Sequence, residues 1–385
     1  MKIVVAPDSF KGSISAVRAC EMMKAGIKEV FPEAEVVSLP VADGGEGTVD
    51  SFVAATSCRR VTVQVSDPLG RKIDAAFALM NDHTAVIEMA AASGLPLLEA
   101  DERDPRKTTT YGTGELMRAA LDLGCKRIIL GIGGSATNDG GMGMAQALGF
   151  SFKDERGAEL GFGGGELGRL CTIDCTNGDQ RLRSCEIVAA CDVSNPLCGK
   201  NGASHVFGPQ KGADERMVEI LDANLHHYAD IIEEQLGISI LNVPGTGAAG
   251  GLPAGLIAFC NATIQSGIEI VLDALDFEKH LRVADLVITG EGKIDSQSVF
   301  GKVPVGVARR AKQYNIPVIA VVGAIGDGAE SVYEYGIDSI ISIVDKPMAL
   351  NDAIENVEDL LKKSVSRTMR IMRAAFSIAK GNGTL

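Results

Sequence analysis

The chain has no tryptophan, and aromatics make up only 4% of its 385 residues. A binding module built on aromatic hot spots therefore loses support. Basic residues are in the minority: 37 Lys and Arg face 50 Asp and Glu, a formal net charge of −13. Nucleic acid and anionic membranes both reward a basic footprint, so neither is an expected partner. No apolar run is long enough for a membrane span or a signal-peptide core, since the first is stopped at once by Pro7 and Asp8. A cytoplasmic location is the expectation. The nine Cys form an odd set without Cys-x-x-Cys or a Cys/His pairing at zinc spacing, which suits buried, reduced thiols. Also missing are Gly-x-x-x-x-Gly-Lys-Ser/Thr, His-Glu-x-x-His and Gly-x-Ser-x-Gly. A standard nucleotide loop, a zincin and a serine hydrolase all lose support.

What is abundant is glycine, at 45 residues, within an apolar fraction of 46%. Such a chain packs with Ala, Val, Ile and Leu and brings backbone close to something in its loops. Lys2 to Ala6 reads as a buried strand. After it, Ala16, Cys20, Met23, Ile27 and Val30 are spaced to draw one stripe on a helix. Val36 to Leu39 follows as a strand. Near the other end come strand Asp285 to Thr289, a helix Val305 to Tyr314 opened by Pro304, strands Val318 to Val322 and Ser339 to Val344, and a long helix from about Leu350. Alternating strands and helices imply right-handed crossovers and a parallel sheet. The middle instead mixes strands (Ala85 to Met89, Arg127 to Ile132, Glu186 to Ala190) with glycine-rich loops of uneven length. The expectation is an α/β protein of two domains. Residues 1–65 and 266–385 form a discontinuous Rossmann-like domain, interrupted by an inserted α/β domain at 66–265, with the active site between them.

Apolar strands repeatedly end in loops of Gly, Asp and Ser. These are Asp8 to Ser13, Asp43 to Thr48, Gly131 to Gly141, Asp192 to Asn195 and Gly290 to Ser296. The carboxyl ends of parallel strands form a ligand-binding edge, where Gly lets backbone N–H groups approach an anion and Asp supplies a metal ligand or base. One such loop is ordinarily a cap or turn. Five of them point to a cleft that handles phosphate. Gly131 to Ala136 also fits Gly-x-Gly-x-x-Ala with Asp154 beyond it, so an NAD-dependent dehydrogenase of a small hydroxy acid is a rival. Asn138-Asp139-Gly140-Gly141 counts against it, because it falls where the dinucleotide helix should already be running. A non-catalytic sensor of phosphorylated metabolites is a further alternative.

At these loops the sequence closely resembles the bacterial glycerate kinase family, the type with a short N-terminal Ala-Pro-Asp-Ser signature. The resemblance runs through Ala6-Pro7-Asp8-Ser9-Phe10-Lys11-Gly12-Ser13, Ala42 to Thr48, Gly131 to Gly141 and Ala190-Cys191-Asp192-Val193. It continues in Phe207 to Ala213, Gly247 to Gly251, Thr289 to Gln297 and Gly301-Lys302. It implies ATP and D-glycerate as substrates, phosphoglycerate and ADP as products with the 2-phosphate favoured over the 3-phosphate, and Mg²⁺ as companion ion. Lys293 stands where Arg is common in the family, and no role attaches to His205.

Phosphoryl transfer asks for positioning and charge neutralisation. Gly133, Gly134, Ser135, Thr137 and Asn138 are the expected phosphate cradle, with Lys211 as a further phosphate contact. Asp192 and Asp295 are candidates for base and Mg²⁺ ligand, in either order, and Lys302 is the catalytic cation. Asp8, Ser9, Lys11, Asp43 and Glu46 are expected to line the substrate site. None of the five His stands in a catalytic context; His226-His227 fall on a helical stretch, Met217 to Leu236.

Overall fold

The computed structural model describes residues 1–42, 47–56, 58–299 and 302–381. Asp43 and Glu46 lie outside them. Contacts divide the chain into two compact units, Met1–Asp43, Asp50–Thr56 and Ile268–Leu385 in the first, Gly44–Val49 and Ser57–Gly267 in the second.

Unit 1 is built on five parallel strands: β1 (Lys2–Pro7), β2 (Glu35–Ser38), β11 (Leu286–Ile294), β12 (Val318–Ile325) and β13 (Ser339–Ser342), in the spatial order β13-β12-β11-β1-β2. The crossover from β1 to β2 runs one way along the sheet and those from β11 to β12 and β13 run the other. Right-handed connections therefore send helix Ala16–Val30 to one face and helix Val303–Lys312 to the opposite face. The neighbours β1 and β11 are the switch point, where the sheet edge opens between diverging connections.

Helix Ala16–Val30 starts where Ser15 Oγ accepts the N–H of Arg18 at 3.2 Å. It buries Ala16, Cys20, Met23, Ile27 and Val30, the stripe that the spacing predicts. Cys20, Met23, Ile27 and Val30 of that stripe pack with Leu361, Val365 and Met369 of helix Val357–Gly381 and with Ile3, Val5 and Ile288 of the sheet. Fully burying a side chain such as Ile27 contributes about 2 kcal/mol.

Unit 2 carries a six-stranded sheet of β3 (Arg59–Ser66), β4 (Lys72–Met80), β5 (Thr84–Glu88), β6 (Arg127–Gly131), β9 (Glu186–Ala190) and β10 (Thr263–Gln265), in the order β10-β9-β6-β5-β4-β3. β10, β9, β6 and β5 are parallel, while β4 and β3 continue the sheet antiparallel. The strand Arg59–Ser66 thus belongs with the second sheet, so unit 1 gives up the chain before residue 65. A small hairpin pairs β7 (Ser151–Lys153) with β8 (Thr172–Asp174). Two cysteines depart from the expected burial: Cys171 and Cys175 are exposed because they flank β8, in a two-stranded hairpin rather than a covered sheet.

One expected loop is not a loop. Gly290 to Ile294 continues β11, with Gly290 opposite Val321, Glu291 opposite Val322 and Lys293 opposite Ala324. The glycine serves close strand approach: a Cβ on Gly290 would sit 2.2 Å from the carbonyl oxygen of Val321. Only Asp295 separates the strand from a short 3₁₀ segment, Ser296–Val299.

Candidate active site

At the carboxyl ends of β1, β11, β12 and β13, unit 1 holds a cavity of about 580 Å³. Its polar side comes from the two switch-point strands. Asp8, Ser9 and Lys11 follow β1, and Glu291 and Lys293 project from the end of β11, with Lys302 beside them at the start of helix Val303–Lys312. The substrate-site residues expected after β1 are therefore gathered with the expected catalytic cation.

Asp8 is buried, and its Oδ1 accepts the N–H of Ser9 at 2.7 Å. Glu291 is 6% exposed and accepts a hydrogen bond from Ser298 Oγ at 2.9 Å. Ser298 Oγ also accepts from Lys302 Nζ at 3.4 Å, and Lys302 Nζ lies 3.8 Å from Glu291 Oε2. Burial pushes the Glu291 carboxyl up to about 7, against the pull of the Lys302 charge and the Ser298 hydroxyl. Asp295 stands behind this group. Its carboxylate is 3.1 Å from Lys293 Nζ and 3.8 Å from Lys302 Nζ, and its N–H donates to Ser298 Oγ at 3.2 Å.

Glu291 and Ser298 are the functional candidates that sequence reasoning missed. The signal was present in the run Leu286 to Ile294. A carboxylate amid apolar residues and glycines of a central strand is buried by its register, and a buried carboxylate needs a reason.

Unit 2 holds the remaining expected residues. Gly133 and Gly134 are exposed after β6, but Ser135, Thr137 and Asn138 turn inward and are buried. Asn138 Nδ2 donates to Ser204 Oγ at 3.1 Å. A Cβ on Gly250 would meet the Thr137 carbonyl at 1.9 Å, so backbone presses directly on this loop from behind. These inward side chains do not present hydroxyls to an outside anion as the cradle expectation required.

Lys211 departs further from expectation. It is 1% exposed, and its Nζ donates to Ser135 Oγ and to the Thr137 carbonyl, both at 2.6 Å. Burial pushes its ammonium down to about 7, with the charge of Asp139 opposing. Lys211 holds the loop from inside, with two of its three donors committed to Ser135 and Thr137. Asp139 is itself fully buried and is tied by the N–H groups of Thr110 and Gly141 at 2.8 and 3.1 Å and by the Thr110 hydroxyl at 2.9 Å. Asp192, after β9, accepts from Ser266 Oγ at 2.8 Å and from the N–H of Gly267 at 2.9 Å, where helix Gly267–Ala274 begins.

A parallel sheet whose switch point opens on ammonium groups and buried carboxylates defines an α/β enzyme that handles a small anionic substrate. The glycerate kinase family matches residues 3–373. Glycerate kinase of Bacillus subtilis is 52% identical, with 99% of each chain covered. Glycerate 2-kinase of Escherichia coli is 51% identical over 99% of this chain and 100% of its own. A crystal structure from Salmonella typhimurium LT2, described as a candidate glycerate kinase 2, superposes with a TM-score of 0.88 at 49% identity, covering 98% of this chain and 99% of that one. The chain belongs to the glycerate kinase family, and it is accordingly a kinase with an alcohol group as acceptor and ATP as co-substrate. The dehydrogenase and sensor alternatives find no support in these matches. Among the described residues no helix is long and apolar enough to cross a membrane.

Proposed function

We propose that the chain transfers the γ-phosphoryl group of ATP to the 2-hydroxyl of D-glycerate in the cytoplasm, with Mg²⁺ as companion ion. One observation carries this reading. Lys11, Lys293 and Lys302 gather with Asp8 and Glu291 at the switch point of a member of the glycerate kinase family. The choice of hydroxyl is supported by the Escherichia coli relative, a glycerate 2-kinase.

Lys11 and Lys302 meet phosphate oxygens as compact charges. The glycerate hydroxyl oxygen forms a bond to the γ-phosphorus while the bond from that phosphorus to the β,γ-bridging oxygen breaks. ADP leaves, and the hydroxyl proton passes to a carboxylate. We assign that proton to Glu291, which faces the cavity and whose affinity for a proton is poised near neutrality. Asp295 orients Lys302 from behind, and Asp192 acts as a helix cap.

Among the described residues no three His, Cys, Asp or Glu side chains converge to form a metal cage. Mg²⁺ is commonly bound through one or two carboxylates plus substrate phosphates, and Asp8 lines the cavity with Lys11 and Lys302. Asp8 would hold it, with Asp295 once its ammonium partners turn to phosphate. When bound, the ion would neutralise charge on the transferring group.

Phosphorus NMR of the product formed from D-glycerate and ATP tests the proposal. The expected product carries phosphate at the 2-position. A 3-phosphate would overturn the regiochemistry, and the absence of any phosphoglycerate would overturn the activity.

A further inference from the structure

The wall of the unit 1 cavity away from the ammonium groups has no use in the chemistry above. It is drawn from the segment 343–357, after β13, and the residues that line the space are apolar: Ile343, Val344, Met348, Leu350, Ile354 and Val357. Three of these are large hydrophobics left in the open, Leu350 at 74%, Val344 at 39% and Ile354 at 37%. Exposed apolar side chains gathered on one wall of a cavity mark a binding surface.

A three-carbon hydroxy acid offers this wall nothing, since almost every atom of glycerate is polar. It is also far too small for about 580 Å³, a volume within the range of sites for cofactor-sized ligands. The sheet order places β13 two strands from β11. Adjacent strands lie about 4.8 Å apart, so the apolar wall and the cationic end are separated by roughly 10 Å across the sheet edge. Between them, β12 contributes Gly323 and Ala324, which leave the floor without bulk. Ser13 Oγ reaches the carbonyl of Ile354 at 3.4 Å, tying the wall to the loop that carries Lys11.

An apolar slot, a bare floor and a cluster of ammonium groups in that order match one ligand chemistry. We propose that the segment 343–357 is the nucleoside seat of the phosphoryl donor. The base lies against Val344, Leu350 and Ile354, the ribose passes over Gly323 and Ala324, and the polyphosphate reaches Lys11 and Lys302. This rests on the kinase reading for the identity of the ligand. It assigns the nucleotide to unit 1.

Leu350→Asp and Ile354→Asp test the seat, because both side chains are exposed and their replacement leaves the core intact. Each enzyme is assayed for the KM of ATP and of D-glycerate, and for binding of a non-hydrolysable ATP analogue by saturation-transfer NMR. The expected result is a KM for ATP raised about tenfold or more, a KM for glycerate within about twofold, and weakened analogue binding in both variants. An unchanged KM for ATP with unchanged analogue binding would overturn the seat, as would a selective rise in the KM for glycerate. The parent enzyme keeps the two ideas apart. If it binds the analogue at this wall but forms no phosphoglycerate, the seat stands and the glycerate reading falls.

Discussion

Glu291 decides more than any other residue described. It faces the cavity, receives the Ser298 hydroxyl, and keeps its proton up to a pH of about 7 because it is buried. Glu291→Gln preserves shape and removes the acceptor, so kcat should fall by roughly two to four orders of magnitude. In the parent, kcat/KM should rise with pH through a midpoint near 7, and a flat profile would count against the assignment. The same shift has a stability consequence of definite sign. The folded protein holds this proton more tightly than the unfolded chain does. Burial is therefore harmless below the ordinary value of 4.5, and its penalty grows as pH rises to about 7. Urea midpoints should show Glu291→Gln more stable than the parent by roughly 1–3 kcal/mol at pH 8 and equal to it near pH 4.5.

Among the elements, β11 combines fold and site. Its run from Leu286 to Ile294 is central in the sheet, and Gly290 lies opposite Val321 of β12, where a side chain has no room. Gly290→Ala would set a Cβ 2.2 Å from the Val321 carbonyl, a backbone atom that cannot swing aside. A loss of roughly 2–4 kcal/mol in urea unfolding is expected, and a variant as stable as the parent would refute this account of the glycine. The same strand shows what a sequence makes legible. Period and caps exposed β1, helix Ala16–Val30 and β9, because their burial pattern is local. The end of β11 looked like a loop, since glycines that permit close strand approach are indistinguishable in sequence from glycines that permit a turn. For the same reason nothing in a loop reading of the sequence marks Glu291, whereas Asp8, Lys11 and Lys302, singled out by the strand-end loops and the resemblance, line one cavity. Lys211 departs from local expectation in the other direction. Nothing local to Gly208 or Gly212 announces that its ammonium runs inward to Ser135 and Thr137, more than seventy residues earlier.

At the scale of the molecule, unit 2 has a complete sheet and a continuous core from Val65 to Ala262 with its own helices. Residues 58–267 expressed alone should therefore unfold cooperatively in calorimetry. A broad, non-cooperative transition would show that this core depends on the rest of the chain. Unit 1 has no such independence along the sequence, because β1 pairs with β11 and the N–H of Lys2 donates to a carboxylate 283 residues later, that of Asp285. On the ribosome this becomes a matter of time. At the usual 5–20 residues per second, β1 is made roughly 15 to 60 s before its neighbour exists. Throughout that interval one edge of β1 lacks the strand whose backbone will pair with it. The strand that begins the chain is thus among the last to be finished, and it is where a nascent chain of this protein most needs protection from its neighbours.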